Sequence, residues 1–188
     1  MNTGINLVKQ VHSNLDKTVT KGEVCFDATT GNGYDTLKLA QLVGSTGKVF
    51  TIDIQSKAIE STKELLSENQ LEETVHLFEG CHSKFDDFLP SAFRESLATV
   101  VFNLGYLPGG EKSIKTQTST TLTAVVKAYE WLRLGGYLSV LAYRGHTGGH
   151  EEANSIEKLI ESQGWKSKKT EGRQNSSISP ILYWIKKI

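Results

Sequence analysis

Three stretches of this 188-residue chain combine residue types and spacings that can do chemistry. The first is the glycine turn Gly31-Asn32-Gly33, with the acid Asp27 four residues before it and the acid Asp53 22 residues after Gly31. Glycine reaches backbone angles closed to other residues and lets a ligand come close to the chain. A helix that starts after such a turn aims free N–H groups at a carboxylate or phosphate. An acid at the position of Asp53 can accept both hydroxyls of a ribose. The second stretch, "FNLGYLPGG", places Asn103 at the end of an apolar run and before a Gly/Pro loop. The third, "YRGHTGG", holds Tyr143, Arg144 and His146 among three glycines in seven residues.

The turn discriminates among ligands. A dinucleotide fingerprint has a third glycine three residues after the second, and that position here is Thr36. Asp27 would repel a pyrophosphate and attract the ammonium of an amino-acid moiety. A ligand carrying a ribose, a carboxylate and an ammonium fits S-adenosylmethionine better than NAD. The alternative for these glycines alone is a tight strand-to-helix turn without a ligand. Asn103 read alone could be a turn-former, and the "YRGHTGG" loop read alone could simply cap a sheet.

The elements that must position these residues follow from hydrophobic period. Ile5, Val8, Val11 and Leu15 recur at helical spacing and predict an opening helix. "EVCFDAT", "KVFTIDI", "TVHLFEG", "ATVVFNL" and "YLSVLAY" read as buried strands. Between them "YDTLKLAQLV", "SKAIESTKELLSENQ" and "TSTTLTAVVKAYEWLRLGG" read as helices, the last ended by its glycines. "SKFDDFLPSAFRES" is a short helical or irregular link, and "HEEANSIEKLIESQG" is a further helix. "WKSKKTEGR" and "ILYWIKKI" close the chain as two strands antiparallel to each other. Alternation from residue 24 to about 163 implies βαβ units, a mainly parallel sheet and helices on both faces. Ligands on such sheets bind at the carboxyl ends of the strands. Asp27 to Asp35, Asp53 to Gln55, Cys81 with His82, and Asn103 to Gly110 all fall at such ends.

Composition narrows the classes. The length favours one domain over residues 1–188. Lys plus Arg and Asp plus Glu are both 21, so no global charge draws the chain to a polyanion, and RNA contact would need a local basic patch. Lys166, Lys168, Lys169, Arg173, Lys186 and Lys187, with Lys112 and Lys115, could form one at the mouth of a site, or simply a solvated strand face. Cys25 and Cys81 form no metal or disulfide spacing, which fits a cytoplasmic protein, and Cys25 reads as a small buried hydrophobe. No signal peptide, membrane-spanning run, metal-ligand cluster or Ser-His-Asp arrangement is apparent.

"FDATTGNGYDT" with "FTIDIQ" resembles motifs I and II of class I S-adenosylmethionine-dependent methyltransferases. The fold this implies is Rossmann-like α/β, a seven-stranded mainly parallel sheet with an antiparallel C-terminal hairpin. Adding "FNLGYLPGGEKS" and "YRGHTGG", nearly the whole chain resembles a small bacterial family long described as rRNA methylases and associated with tRNA wobble-uridine modification. The implied reaction methylates the 5-aminomethyl group of 5-aminomethyl-2-thiouridine at tRNA position 34. The alternatives are methylation of rRNA or of a small-molecule amine, and, from another class, a cofactor-binding or NAD-dependent protein.

By that resemblance Asp27, Thr29, Gly31, Asn32, Gly33, Asp35 and Thr36 line the methionine end of the cofactor. Asp53 holds the ribose, with Ile54 and Gln55 beside the adenine and Asn103 and Gly105 completing the cofactor site. Cys81 and His82 stand where many relatives carry an acid on the adenine amino group; the His82 backbone N–H could serve instead, or His82 could be an exposed loop residue. "FNLGY" occupies the place of the N-P-P-Y of amino-group methyltransferases. Asn103 and the Leu104 carbonyl would orient the amine, and Tyr106 would pack on the base. Tyr143 and His146 are candidate proton acceptors, and Arg144 could grip the nucleotide backbone. Gln174 and Asn175 would reach the substrate. The implied partner is the anticodon arm of tRNA, with a homodimer as a further expectation.

Overall fold

A computed structural model describes residues 4–111, 113–172 and 176–188. The chain runs α1 (Leu7–Thr18), β1 (Val24–Asp27), α2 (Tyr34–Val43), β2 (Lys48–Asp53), α3 (Ser56–Glu68), β3 (Val75–Glu79), β4 (Leu97–Leu104), α4 (Thr118–Trp131), β5 (Leu132–Ala142), α5 (Gly149–Ser162), β6 (Lys166–Glu171) and β7 (Ile181–Lys186). One seven-stranded sheet has the order β3-β2-β1-β4-β5-β7-β6. β1 to β5 pair in parallel, and β7 pairs antiparallel with both β5 and β6. The expected architecture and its C-terminal hairpin are present.

Strand alternation splits the core into two layers. Cys25, Val49, Val101 and Leu182 face α1, α2 and α3, while Phe26, Phe50, Val100, Phe102 and Tyr183 face the other side with α4 and α5. Successive side chains of a strand point to opposite faces, so one apolar run feeds both layers. Cys25 is fully buried among them, as expected of a small hydrophobe. α1 adds Leu7, Val11 and Leu15 to the first layer, and the Asn6 side chain caps it by accepting the Lys9 N–H at 3.1 Å.

One expectation changes. The helix before β5 ends at Trp131 rather than at the glycines, and Leu132 already pairs with Leu97. Leu132 is fully buried, and the register shift that follows is carried by Gly135, at φ +75°, and Gly136, where a Cβ would lie 3.0 Å from the Leu97 carbonyl. Sheet burial outweighs local helix propensity here. The link after β3 is short helical, as expected, and forms two 3-10 segments, His82–Asp87 and Ser91–Phe93.

β1 has β2 on one side and β4 on the other, so successive crossovers leave β1 in opposite directions. A crevice opens at the carboxyl ends of strands at such a switch point.

Candidate active site

The turn after β1 is assembled from backbone donors and buried oxygen acceptors. Gly31 (φ +53°) and Gly33 (φ +78°) adopt left-handed conformations. Space also requires Gly33, because a Cβ there would lie 2.6 Å from the Thr62 hydroxyl on α3. Asp53, at the end of β2, accepts the Gly31 N–H at 3.0 Å on one oxygen and the Gln55 N–H at 3.0 Å on the other. Burial pushes the Asp53 carboxyl up, and the N–H groups of Gly31, Gln55 and Ile54 oppose that shift.

Asp27 lies beneath the turn with no exposed surface. It accepts from the Thr29 N–H at 3.1 Å and the Thr36 hydroxyl at 2.7 Å. Thr36 also meets the Thr51 hydroxyl at 3.1 Å, and Thr51 meets Thr30 at 2.6 Å, forming a buried hydroxyl chain that joins α2, β2 and the turn after β1. Burial first, then the Asp35 charge, pushes the Asp27 carboxyl up to about 7.

β4 brings the second group. The Asn103 backbone N–H donates to the Thr29 hydroxyl at 2.7 Å, joining the "NLGY" segment to the glycine turn. Its side-chain amide donates to one oxygen of Asp35, and His12 on α1 meets the other oxygen at 2.5 Å. Three elements distant in sequence therefore converge on the Asp35 carboxylate. The loop after β4 folds back through a bridge between Tyr106 and Lys115, and the Thr116 N–H donates to the Gly105 carbonyl at 2.8 Å. The Thr116 and Thr121 hydroxyls both donate to buried Glu152 on α5, anchoring that loop to the opposite layer.

These ends enclose a cavity of about 890 Å³. Thr29, Gly31, Asn32, Asp35, Asp53, Ile54, Gln55, Cys81, His82, Asn103, Gly105, Tyr106, Tyr143 and His146 all line it. His82 is buried rather than exposed, and burial holds its imidazole down at about 4, so it is neutral near pH 7. Its Nε2 and that of His146 are buried without a hydrogen-bond partner. His146 packs edge-on against Tyr106 at 6.2 Å between centroids. Burial, then the Asp35 charge, pushes the Tyr143 hydroxyl up.

Other expected residues sit elsewhere. Asp27, Gly33 and Thr36 support the turn from behind and do not line the cavity. Leu104 is fully buried, and its carbonyl, expected to face an amine, accepts the Tyr143 N–H at 3.1 Å as the sheet continues. The Arg144 guanidinium is turned away, donating to the Ser179 carbonyl at 2.6 Å and the Ser176 carbonyl at 2.9 Å. Gln174 and Asn175 lie outside the described residues. Of the residues expected to form a basic patch, Lys112 and Arg173 lie outside the described residues and Lys115 lines the cavity, whereas Lys166 pairs with Lys186, which pairs with Tyr137 midway along β5 and away from the strand tips. Among the described lining residues, Lys115 is the one Lys or Arg, and its ammonium donates to the Thr147 carbonyl at 2.8 Å.

Several lining residues carried no sign of a ligand in the sequence, among them Val8, which reads only as part of the α1 stripe, Tyr34 and Ile178, all exposed at the rim. Nor did His12, whose partner is 23 residues away. Among the described residues no helix is long and apolar enough to cross a membrane, and no group of three His, Cys, Asp or Glu side chains could hold a metal ion.

Comparison with known proteins places this geometry. Residues 49–186 match the model of a family described as "Putative rRNA methylase". A chloroplastic tRNA (mnm5s2U34)-methyltransferase of Arabidopsis thaliana is 44% identical over 154 residues, covering 78% of this chain and 56% of that protein. The chain thus spans just over half the length of that curated relative. A solved structure of an rRNA methylase of the same description, from Clostridium thermocellum, is 36% identical, with a TM-score of 0.89 over 100% of this chain and 98% of that one. A Streptococcus mutans protein solved in complex with SAH is 30% identical, with a TM-score of 0.83 over 96% and 97% of the two chains. The sheet order and hairpin are those of the Rossmann-like methyltransferase fold.

Proposed function

The chain belongs to the rRNA-methylase family, and from that premise we propose that it methylates the 5-aminomethyl nitrogen of 5-aminomethyl-2-thiouridine at tRNA position 34. The observation that carries this reading is the pairing, in one cavity, of Asp53, which braces the glycine turn, with Asn103, held by the Asp35 carboxylate. The residues fit S-adenosylmethionine. Asp53 would hold the ribose hydroxyls, Ile54 and Gln55 would flank the adenine with Cys81 and His82, and Thr29, Gly31, Asn32 and Asp35 would face the methionine end. Asp27 and Thr36 act from behind, by holding the turn.

When bound, S-adenosylmethionine supplies a methyl group on a positively charged sulfur, a good leaving group. The protein's part is then orientation, which alone can supply several kcal/mol of the barrier. The Asn103 side-chain oxygen would accept an N–H of the amine and direct its lone pair into the cavity. Tyr106 would pack on the base. An ammonium has no lone pair, so it must first lose a proton, and His146 is the group that could take it; the Tyr143 hydroxyl, pushed up by burial and the Asp35 charge, keeps its own proton and can only position the amine. Arg144 in this reading organises the loop before β7. Gln174 and Asn175 remain proposed contacts of the RNA. Lys115 gives one of its three N–H groups to the Thr147 carbonyl and could meet a phosphate of an anticodon arm with the others, and a second copy of the chain could widen that surface.

The test is transfer by the purified chain from S-adenosylmethionine to tRNA isolated from a strain lacking this gene, read by nucleoside mass spectrometry. Conversion of 5-aminomethyl-2-thiouridine to its methylated form supports the reading. Methylation of rRNA alone, or of no RNA, would replace it with one of the alternatives.

A further inference from the structure

The Asp35 carboxylate is nearly buried, with 8% of its side chain exposed. It holds His12 on one oxygen, at 2.5 Å, and the Asn103 amide on the other. A carboxylate is an acceptor only, so the nitrogen of the Asn103 amide must face it and the amide oxygen must face away. The same rule places the His12 proton on Nε2. We propose that His12 is a positioning residue for methyl transfer: through Asp35 it locks the Asn103 amide with its oxygen presented to the substrate amine. The inference rests on the function proposed above.

Geometry supports this role over a purely structural one. α1 does not supply His12 to the cavity wall; Val8, one turn earlier, is the α1 residue that lines it. The next polar tie between α1 and α2 is Asp16 to Lys38 at 2.5 Å, an exposed pair. His12 is the one whose partner also binds a residue of the site. With both oxygens engaged, Asp35 cannot swing about its own side-chain bonds. Without His12 it could rotate and release the amide. A flipped amide would point its N–H groups at the amine's lone pair and tie up the electrons that must attack the methyl group.

The experiment compares wild type, His12→Ala and His12→Gln, the last retaining an N–H donor. For His12→Ala, kcat should fall by roughly 10- to 100-fold, the scale of a misplaced reacting group. The tRNA KM should stay within about three-fold, and His12→Gln should recover most of kcat. Unchanged kcat in His12→Ala overturns the proposal, as does a loss confined to KM or cofactor affinity, or a Gln variant no better than Ala. A second readout needs no substrate. The Asn103 side-chain NH2 signals in a 1H–15N spectrum should be shifted and slow to exchange in wild type and in His12→Gln, and should resemble a free amide in His12→Ala. Identical spectra in all three overturn it. A wild type that methylates no RNA removes the proposed function alone, and the amide spectra still decide the role of His12.

Discussion

The Gly31 N–H and the Asp53 carboxylate, separated by 22 residues in sequence, meet at 3.0 Å. Asp53 is therefore both a wall of the cavity and a brace for the turn. Asp53→Ala should weaken S-adenosylmethionine binding by about 10- to 100-fold, the scale of hydrogen bonds to a charged group. Isothermal calorimetry reads this directly. Wild-type affinity in the variant would remove Asp53 from the cofactor site.

Gly33 offers a test of the turn itself. Alanine there must adopt φ +78° and place its Cβ 2.6 Å from the Thr62 hydroxyl. The left-handed conformation alone costs about 1–2 kcal/mol. A melting temperature lower by about 4 °C or more is expected, at about 2–4 °C per kcal/mol for a chain of this size. Adding Thr62→Ala should return the steric share of the loss but not the backbone share. A double variant no better than Gly33→Ala would mean that the clash is absent.

Asn103→Ala separates catalysis from binding. The backbone N–H that joins β4 to Thr29 is kept, so S-adenosylmethionine affinity should change little. Loss of amine orientation should lower kcat by about 100-fold. Single-turnover methyl transfer measures it, and a variant with wild-type kcat would transfer the orienting role to another group.

Asp27 should make stability depend on pH. Its folded-state pKa of about 7 lies above the ordinary 3.8, so between these values the folded state binds more protons than the unfolded. The stability contributed by the protonated form is present at acid pH and is lost as pH rises through about 7. The slope from one such group reaches about 1.4 kcal/mol per pH unit. Urea unfolding from pH 5 to 8 should show this decline in wild type and a shallower one in Asp27→Asn. Parallel curves would mean that Asp27 ionises normally in the fold.

Arg144 distinguishes a structural clamp from a phosphate grip. Its two carbonyl partners, Ser176 and Ser179, lie in the loop before β7. Arg144→Ala should cost about 1–3 kcal/mol of stability by leaving those carbonyls without their charged donor. The salt dependence of RNA binding should be unchanged, since a lost phosphate contact would lower its slope. A reduced slope with unchanged melting would reverse the assignment.

Local patterns made most of the fold legible. Apolar runs, helical spacing and glycine punctuation identified the strands and most helices, because each signal acts over a few residues. The exception was the end of α4. There Leu132 leaves a helical pattern to join the sheet, which only its pairing with Leu97 explains. The chemistry at the strand tips was legible for a related reason: Asp53, Asn103 and Tyr143 interrupt or end apolar runs, where a core has no use for them.

The sequence by itself determined which residues stand at the carboxyl ends of the strands, since alternation of strand and helix sends every parallel strand the same way. Only the tertiary structure decided what those residues do to one another. It brought His12 from α1 to Asp35, committed the Leu104 carbonyl to the sheet, turned Arg144 toward Ser176 and Ser179, and placed Lys166 and Lys186 away from the cavity. The physical reason is range. Helix and strand preferences are set by neighbours, whereas a hydrogen bond across 23 or 68 residues depends on strand order, register and helix packing, which no short window contains.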